Sequence, residues 1–180
     1  MNIYDALKKD HKKVETLLNQ LVKSSEADND KWKTLVDQIR DELIPHARAE
    51  EAVFYNAIRE ANHEKGLILH GYTEHAMAET ELRTLQAMKS IDVNWMGLAK
   101  KLREDILHHV QEEEEKIFPA AKEIFSEEEA VMIGKAFTEL KPAIKAQSFA
   151  GTTFDLVANM LPRRLVDGIQ KAFETQKKAS

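Results

Sequence analysis

The chain has no cysteine among its 180 residues. That excludes disulfides and thiolate metal sites, and it fits a reducing cytoplasm. Only 4 prolines and 6 glycines interrupt it, so long unbroken elements are expected. Positive charge is not in excess: the net charge is −5, against the basic balance a nucleic-acid surface carries. The start, MNIYDALKKDHKK, lacks an apolar signal region, and no run reaches the roughly 20 apolar residues of a membrane span. Secretion and membrane spanning are therefore not expected, and the cytoplasm is.

What the chain does have is helical periodicity. Ile3, Leu7, Val14, Leu18 and Leu21 recur at steps of three and four, predicting a helix from about residue 2 to about residue 23. A second stripe, Leu35, Ile39, Leu43, His46, Glu50, Val53 and Ala57, predicts a helix over about 30–61 with Pro45 inside it. That proline either bends the helix around the core or aims His46. A third stripe includes His75, Ala78, Leu82 and Leu85, with Gly71 one turn earlier, where another helix could approach closely. A fourth runs from near Asn94 through Leu98, Leu102, Ile106, His109, Glu113 and Ile117 to Ile124. The connections are short, so consecutive helices should be antiparallel neighbours in an all-α, up-down-up-down four-helix bundle spanning 1–125.

Residues 126–180 read as a helical extension. Ser126 and Glu129 form a capping box for a helix ending near Pro142. Beyond it, short helices broken at Gly151 and Pro162 carry Phe149, Phe154, Leu161 and Phe173, which should pack on the bundle or form a homodimer interface.

On the core-facing stripes four histidines are each followed four residues later by a glutamate: His11–Glu15, His46–Glu50, His75–Glu79 and His109–Glu113. That spacing puts both side chains on one helix face. HARAEEAVFYNAI from His46 matches HVQEEEEKIFPAA from His109, and DHKKVETLL from Asp10 matches EHAMAETEL from Glu74. One helix pair has been used twice. A single such motif would be an ordinary core histidine or a solvated pair. Four of them on core-facing stripes, each apolar at both ends, need a different account. Buried carboxylates and imidazoles are costly, and a cation offsets their charge.

Imidazole and carboxylate without sulfur suit iron, manganese or zinc. His46, Glu50, His109 and Glu113 are the leading candidates, followed by His11 and His75. Glu79 could be a ligand, an acceptor behind one, or an exposed charge. Glu15 reads as a supporting or surface residue, and Glu51, Glu112, Glu114 and Glu115 read as solvated charges, with Glu114 a possible substitute for Glu113. His63 and His70 read as surface residues, and His108 points away from the axis. Ferritin-like bundles use Glu-x-x-His, carboxylate first and a step of three, which is not the order here.

At DHKKVETLL, HARAEEAVFYNAI, EHAMAETEL and HHVQEEEEKIFP the chain resembles the hemerythrin-like family, the HHE cation-binding domain, over about residues 3–125. The resemblance implies two non-haem iron ions with carboxylate and oxo bridges. His11 and His46 would hold one iron, His75 and His109 the other, and Glu50 and Glu113 would bridge them. The family's oxygen carriers have a second histidine one turn after the third-helix histidine, where Glu79 stands here. A carboxylate there would favour the ferric state over simple oxygen carriage. The resemblance thus implies a protein that binds dioxygen, nitric oxide or peroxide for sensing, storage or stress protection. The alternatives are a peroxidase- or catalase-like enzyme at the same centre, or an iron-binding bundle that mainly contacts partners.

Overall fold

The computed structural model describes residues 1–25, 31–61 and 65–145; the segments read around Gly151 and Pro162 lie outside them. Helix α1 covers Ile3–Leu21, with Asn2 as its cap: the Asn2 side chain accepts from the Asp5 N–H. Helix α2 covers Lys31–Glu50 and runs straight into a π-helical turn, Glu51–Tyr55, and then α3, Asn56–Glu60. Helix α4 is Lys65–Ala87. Helix α5, Val93–Glu112, is capped by Asp92, which accepts from the N–H groups of Asn94 and Trp95. It passes into a second π-helical turn, Glu113–Ile117, and α6, Phe118–Ile124. Helix α7 is Glu127–Lys145. No strand occurs among the described residues.

The packing fixes the topology. Val14, Leu18 and Leu21 from the end of α1 cluster with Trp32, Val36 and Ile39 from the start of α2. Leu82 and Leu85 from the end of α4 share that cluster with Trp95, Ala99 and Leu102 from the start of α5. At the opposite pole, Ile3 and Leu7 meet Val53, Phe54 and Ile58, together with Ile68, Ile117 and Phe118. Each helix therefore runs opposite to the next, as an up-down-up-down bundle requires.

Two apolar cores thus occupy the two ends, and the four histidine motifs lie between them. Helix α7 is a fifth layer against α1 and α2: its Ile133, Phe137 and Leu140 are buried in the core that holds Ile3, Leu7 and Phe54. The Ser126 capping box forms in both directions, with Glu129 N–H to Ser126 Oγ at 3.2 Å and Ser126 N–H to Glu129 Oε2 at 3.0 Å. Contrary to the sequence reading, α7 continues past Pro142 to Lys145. Gly134 is where α7 touches the N-terminus of α1: a Cβ there would lie 2.6–2.8 Å from backbone atoms of Met1, Asn2 and Ile3.

Pro45 stays inside α2. The departure from α geometry comes later, at the two π-helical turns, which begin directly after Glu50 and at Glu113. Such turns often mark functional positions, because one extra residue per turn re-aims the side chains on either side.

Candidate metal centre

Between the two cores lies a polar layer. His11, His46, Glu50, His75, His109 and Glu113 all sit there, none more than 8% exposed and both glutamates fully buried. His11 Nε2 lies 3.1 Å from Glu113 Oε2, and His46 Nε2 lies 3.4 Å from Glu50 Oε2. His75 Nε2 is 3.6 Å from the same Glu50 oxygen and 3.0 Å from His109 Nε2. Glu50, His75 and His109 offer ligand atoms within 4.8 Å of one another.

Each histidine is held from behind by a carboxylate on its other nitrogen. His11 Nδ1 meets Glu114 at 2.9 Å, His46 Nδ1 meets Asp10 at 3.3 Å, His75 Nδ1 meets Glu51 at 3.0 Å and His109 Nδ1 meets Glu74 at 2.9 Å. An ionised carboxylate only accepts, so Nδ1 carries the N–H and Nε2 presents a lone pair to the centre. In the deprotonated form that would take a cation, the inner ring offers four imidazole lone pairs and two carboxylates, all acceptors.

The orphaned atoms agree. His11 Nε2 and all four carboxylate oxygens of Glu50 and Glu113 are buried without a hydrogen-bond partner. Two Nε2 atoms 3.0 Å apart, both lone pairs, would repel. A cation placed among these atoms would satisfy them, so the donor set fits a metal, and carboxylates behind ligating imidazoles are the usual support for one.

Charge follows burial. Desolvation is the largest influence on His46 and pushes it down to about 4, while it also lowers His75. Burial acts against charge on His11 too, but Glu113 and Glu114 outweigh it and hold His11 above the ordinary imidazole value. Glu50 is driven well above the carboxylate range, first by burial and then by the neighbouring Glu113 carboxylate.

The two repeats support the centre in matched ways. The acid five residues after His46, Glu51, holds His75; its counterpart after His109, Glu114, holds His11. The aromatic nine residues after His46, Tyr55, stacks on His75 at 5.5 Å with rings 3° apart. Its counterpart Phe118 lies over His11 at 6.4 Å and 17°. Gly71 makes room for this: a Cβ there would sit 2.7 Å from the Tyr55 hydroxyl.

Glu79 is not brought into this ring. It is 21% exposed, and its carboxylate accepts from Arg48 Nη2 at 2.7 Å and Arg83 Nη2 at 2.6 Å. Glu15 faces Lys12 at the surface. Glu51 and Glu114 overturn their reading as solvated charges, since both hold ligating-type histidines. Asp10 and Glu74 were not singled out by sequence at all. The available signal was adjacency: each of the four supporting acids stands directly beside a member of the inner ring, as D-H, E-H or E-E. A cavity of about 30 Å³ opens beside the centre, lined by His46, His75, His109, Ala78 and Ile106 among others.

The hemerythrin HHE cation binding domain matches residues 2–121. The chain belongs to that family. A crystal structure of another hemerythrin HHE cation binding domain-containing protein, from Mycobacterium kansasii, superposes with a TM-score of 0.71 at 20% identity. The overlap covers 93% of this chain and 99% of that one, and at this identity it speaks for the hemerythrin fold alone. A protein named DNA nickase from Nostoc sp. is 29% identical over 145 residues. That match takes in 81% of this chain, which spans only 40% of the Nostoc protein's length. No helix among the described residues of this hemerythrin-family chain is long and apolar enough to cross a membrane.

Proposed function

We propose that the chain is a non-haem di-iron protein that binds dioxygen or a related small oxidant, nitric oxide or peroxide, in sensing, storage or stress protection. The observation that carries this is the inward set of four Nε2 lone pairs and two unpartnered carboxylates. His11 and His46 would hold one iron, His75 and His109 the other, and Glu50 and Glu113 would bridge them. Two carboxylates between two pairs of imidazoles suit two ions better than one. When bound, iron supplies reversible one-electron chemistry and an open position for a small ligand.

The residues themselves do the rest. Asp10, Glu51, Glu74 and Glu114 fix the tautomer and plane of each imidazole. Ile106 and Ile117 are nearly fully buried next to the polar layer and keep bulk water from it. The cavity beside the centre, lined by His46, His75 and His109, has room for a diatomic molecule or peroxide.

Metal analysis and an absorption spectrum of freshly purified protein test the reading. Two irons per chain, with oxo-bridged diferric bands that respond to dioxygen, nitric oxide or peroxide, are expected. Zinc alone, or bands indifferent to all three, would sink it. Saturable peroxide consumption that disappears in His109→Ala would instead favour the peroxidase- or catalase-like alternative. Metal-free protein that behaves as the loaded form does would leave a bundle for partner contact. Nicking is not carried over: most of the Nostoc protein has no counterpart here, and the net charge of −5 opposes a nucleic-acid surface.

A further inference from the structure

The histidine–glutamate phrase occurs not four times but six. The two further copies, His70–Glu74 and His108–Glu112, lie on the neighbouring helices α4 and α5 and face outward. Their side chains meet. His70 Nε2 is 3.4 Å from Glu74 Oε1 and 3.5 Å from Glu112 Oε2, and His108 Nε2 is 3.9 Å from Glu112 Oε1. His70, Glu74 and Glu112 offer ligand atoms within 4.8 Å of one another. Both imidazoles are more than half exposed, while both carboxylates are only 17% exposed, which makes a shallow site with its acids at the base.

We propose that His70, Glu74, His108 and Glu112 form a second, exposed site for a divalent first-row cation of the zinc class. Two imidazoles and two carboxylates are an ordinary donor set for such an ion. Bonds of roughly 2.0–2.1 Å in a tetrahedron put neighbouring donors roughly 3.3 Å apart, close to the His70 separations; His108 would close in by a small rotation. Lys116 now pairs with the Glu112 oxygen nearest His108, and the cation would displace it.

The site is joined to the buried centre through one side chain. Glu74 turns Oε1 to His70 and Oε2 to His109 Nδ1. A cation outside would draw on the carboxylate that orients a ligand inside, so the two sites exchange influence without sharing an ion. The proposal stands whether or not the buried metal is iron.

The test uses full-length protein already loaded at its buried centre and titrated with zinc chloride by calorimetry, with metal analysis of the same samples. Wild type should take up one further zinc per chain. The variant H70Q/H108Q should bind that zinc about tenfold or more weakly while keeping its buried metal. Both substituted residues are exposed, so the variant should fold. Replacing cobalt for zinc should give wild type, and not the variant, the visible bands of a four-coordinate N/O site. His46→Ala should do the reverse, losing buried metal and keeping the outer zinc. No further zinc in wild type, or equal uptake by H70Q/H108Q, would overturn the site.

Discussion

Glu50 carries the sharpest conflict at the scale of single residues. It is fully buried with neither oxygen hydrogen-bonded. In metal-free protein its pKa stands well above the usual carboxylate value, through burial first and Glu113 second. The folded state therefore holds a proton that the unfolded chain releases earlier. That contribution to stability is present below the unfolded pKa and is lost as pH rises through the folded one. Glu50→Gln removes the conflict with little change of shape. Metal-free Glu50→Gln should be more stable than metal-free wild type at pH 7, by roughly 1–3 kcal/mol, and flatter in its pH dependence. It should also retain less metal. Calorimetry across pH checks both, and a destabilised metal-free variant would refute the account. The supporting acids give a paired comparison. Glu51→Gln loosens His75 and should weaken metal retention against a chelator by about 10- to 100-fold. Glu79→Gln gives up only contacts with Arg48 and Arg83 and should leave retention nearly unchanged. Equal losses would put Glu79 among the ligands.

Helices were largely legible because a 3.6-residue period with few breakers leaves little choice. The first predicted stripe agrees within a few residues with α1, the second with α2 through α3 and the fourth with α5 through α6, each of these two runs taken with its π-helical turn, and the third falls on α4. Three features were not legible. The π-helical turns change the period by one residue over a single turn, which a stripe count does not resolve. Glu51 and Glu114 lie about 100° from their inward neighbours, a position that reads as solvated until another helix supplies a histidine to hold. The role of α7 was hidden because it depends on contacts across the whole chain. Lys141 Nζ reaches Asp10 Oδ2 at 2.6 Å and Glu42 Oε2 at 3.1 Å, and Phe137 meets the His46 ring edge-on at 5.6 Å. A helix beyond the family match thus steadies the acid that orients His46. Burial acts to raise Asp10, but His46 and Lys141 outweigh it and bring it to about 2. Its stabilising charge is present above the unfolded value and is lost as pH falls through the folded one. Lys141→Met should cost about 1–3 kcal/mol at neutral pH and start acid unfolding at a higher pH. An unchanged acid limb in a pH titration of stability would mean that Lys141 does not control Asp10.

Across the whole molecule, the polar layer separates two apolar cores that share no buried residue. One is built on Trp32, Leu82, Trp95 and Leu102, the other on Leu7, Phe54, Phe118 and Phe137. All four bundle helices pass through both, so the backbone joins them. The layer itself, without metal, leaves the oxygens of Glu50 and Glu113 unpartnered and crowds two imidazole nitrogens to 3.0 Å. A cation bound only by the folded state adds stability of about 2.7 kcal/mol when its free concentration is a hundredfold above Kd. For a chain of this size that is roughly a 5–10 °C rise in Tm. The larger consequence is for cooperativity. Metal held by the proposed ligands would tie all four helices at their midpoints, so loaded protein should unfold in one transition with both cores exchanging amide hydrogens at similar, slow rates. After chelation, exchange should accelerate first in the turns of α1, α2, α4 and α5 around His11, His46, His75 and His109. The two cores should then protect their amides unequally, the end braced by α7 holding longer. Uniform acceleration along the helices after metal removal would show that packing alone unites the bundle, and that the polar layer contributes nothing to holding its ends together.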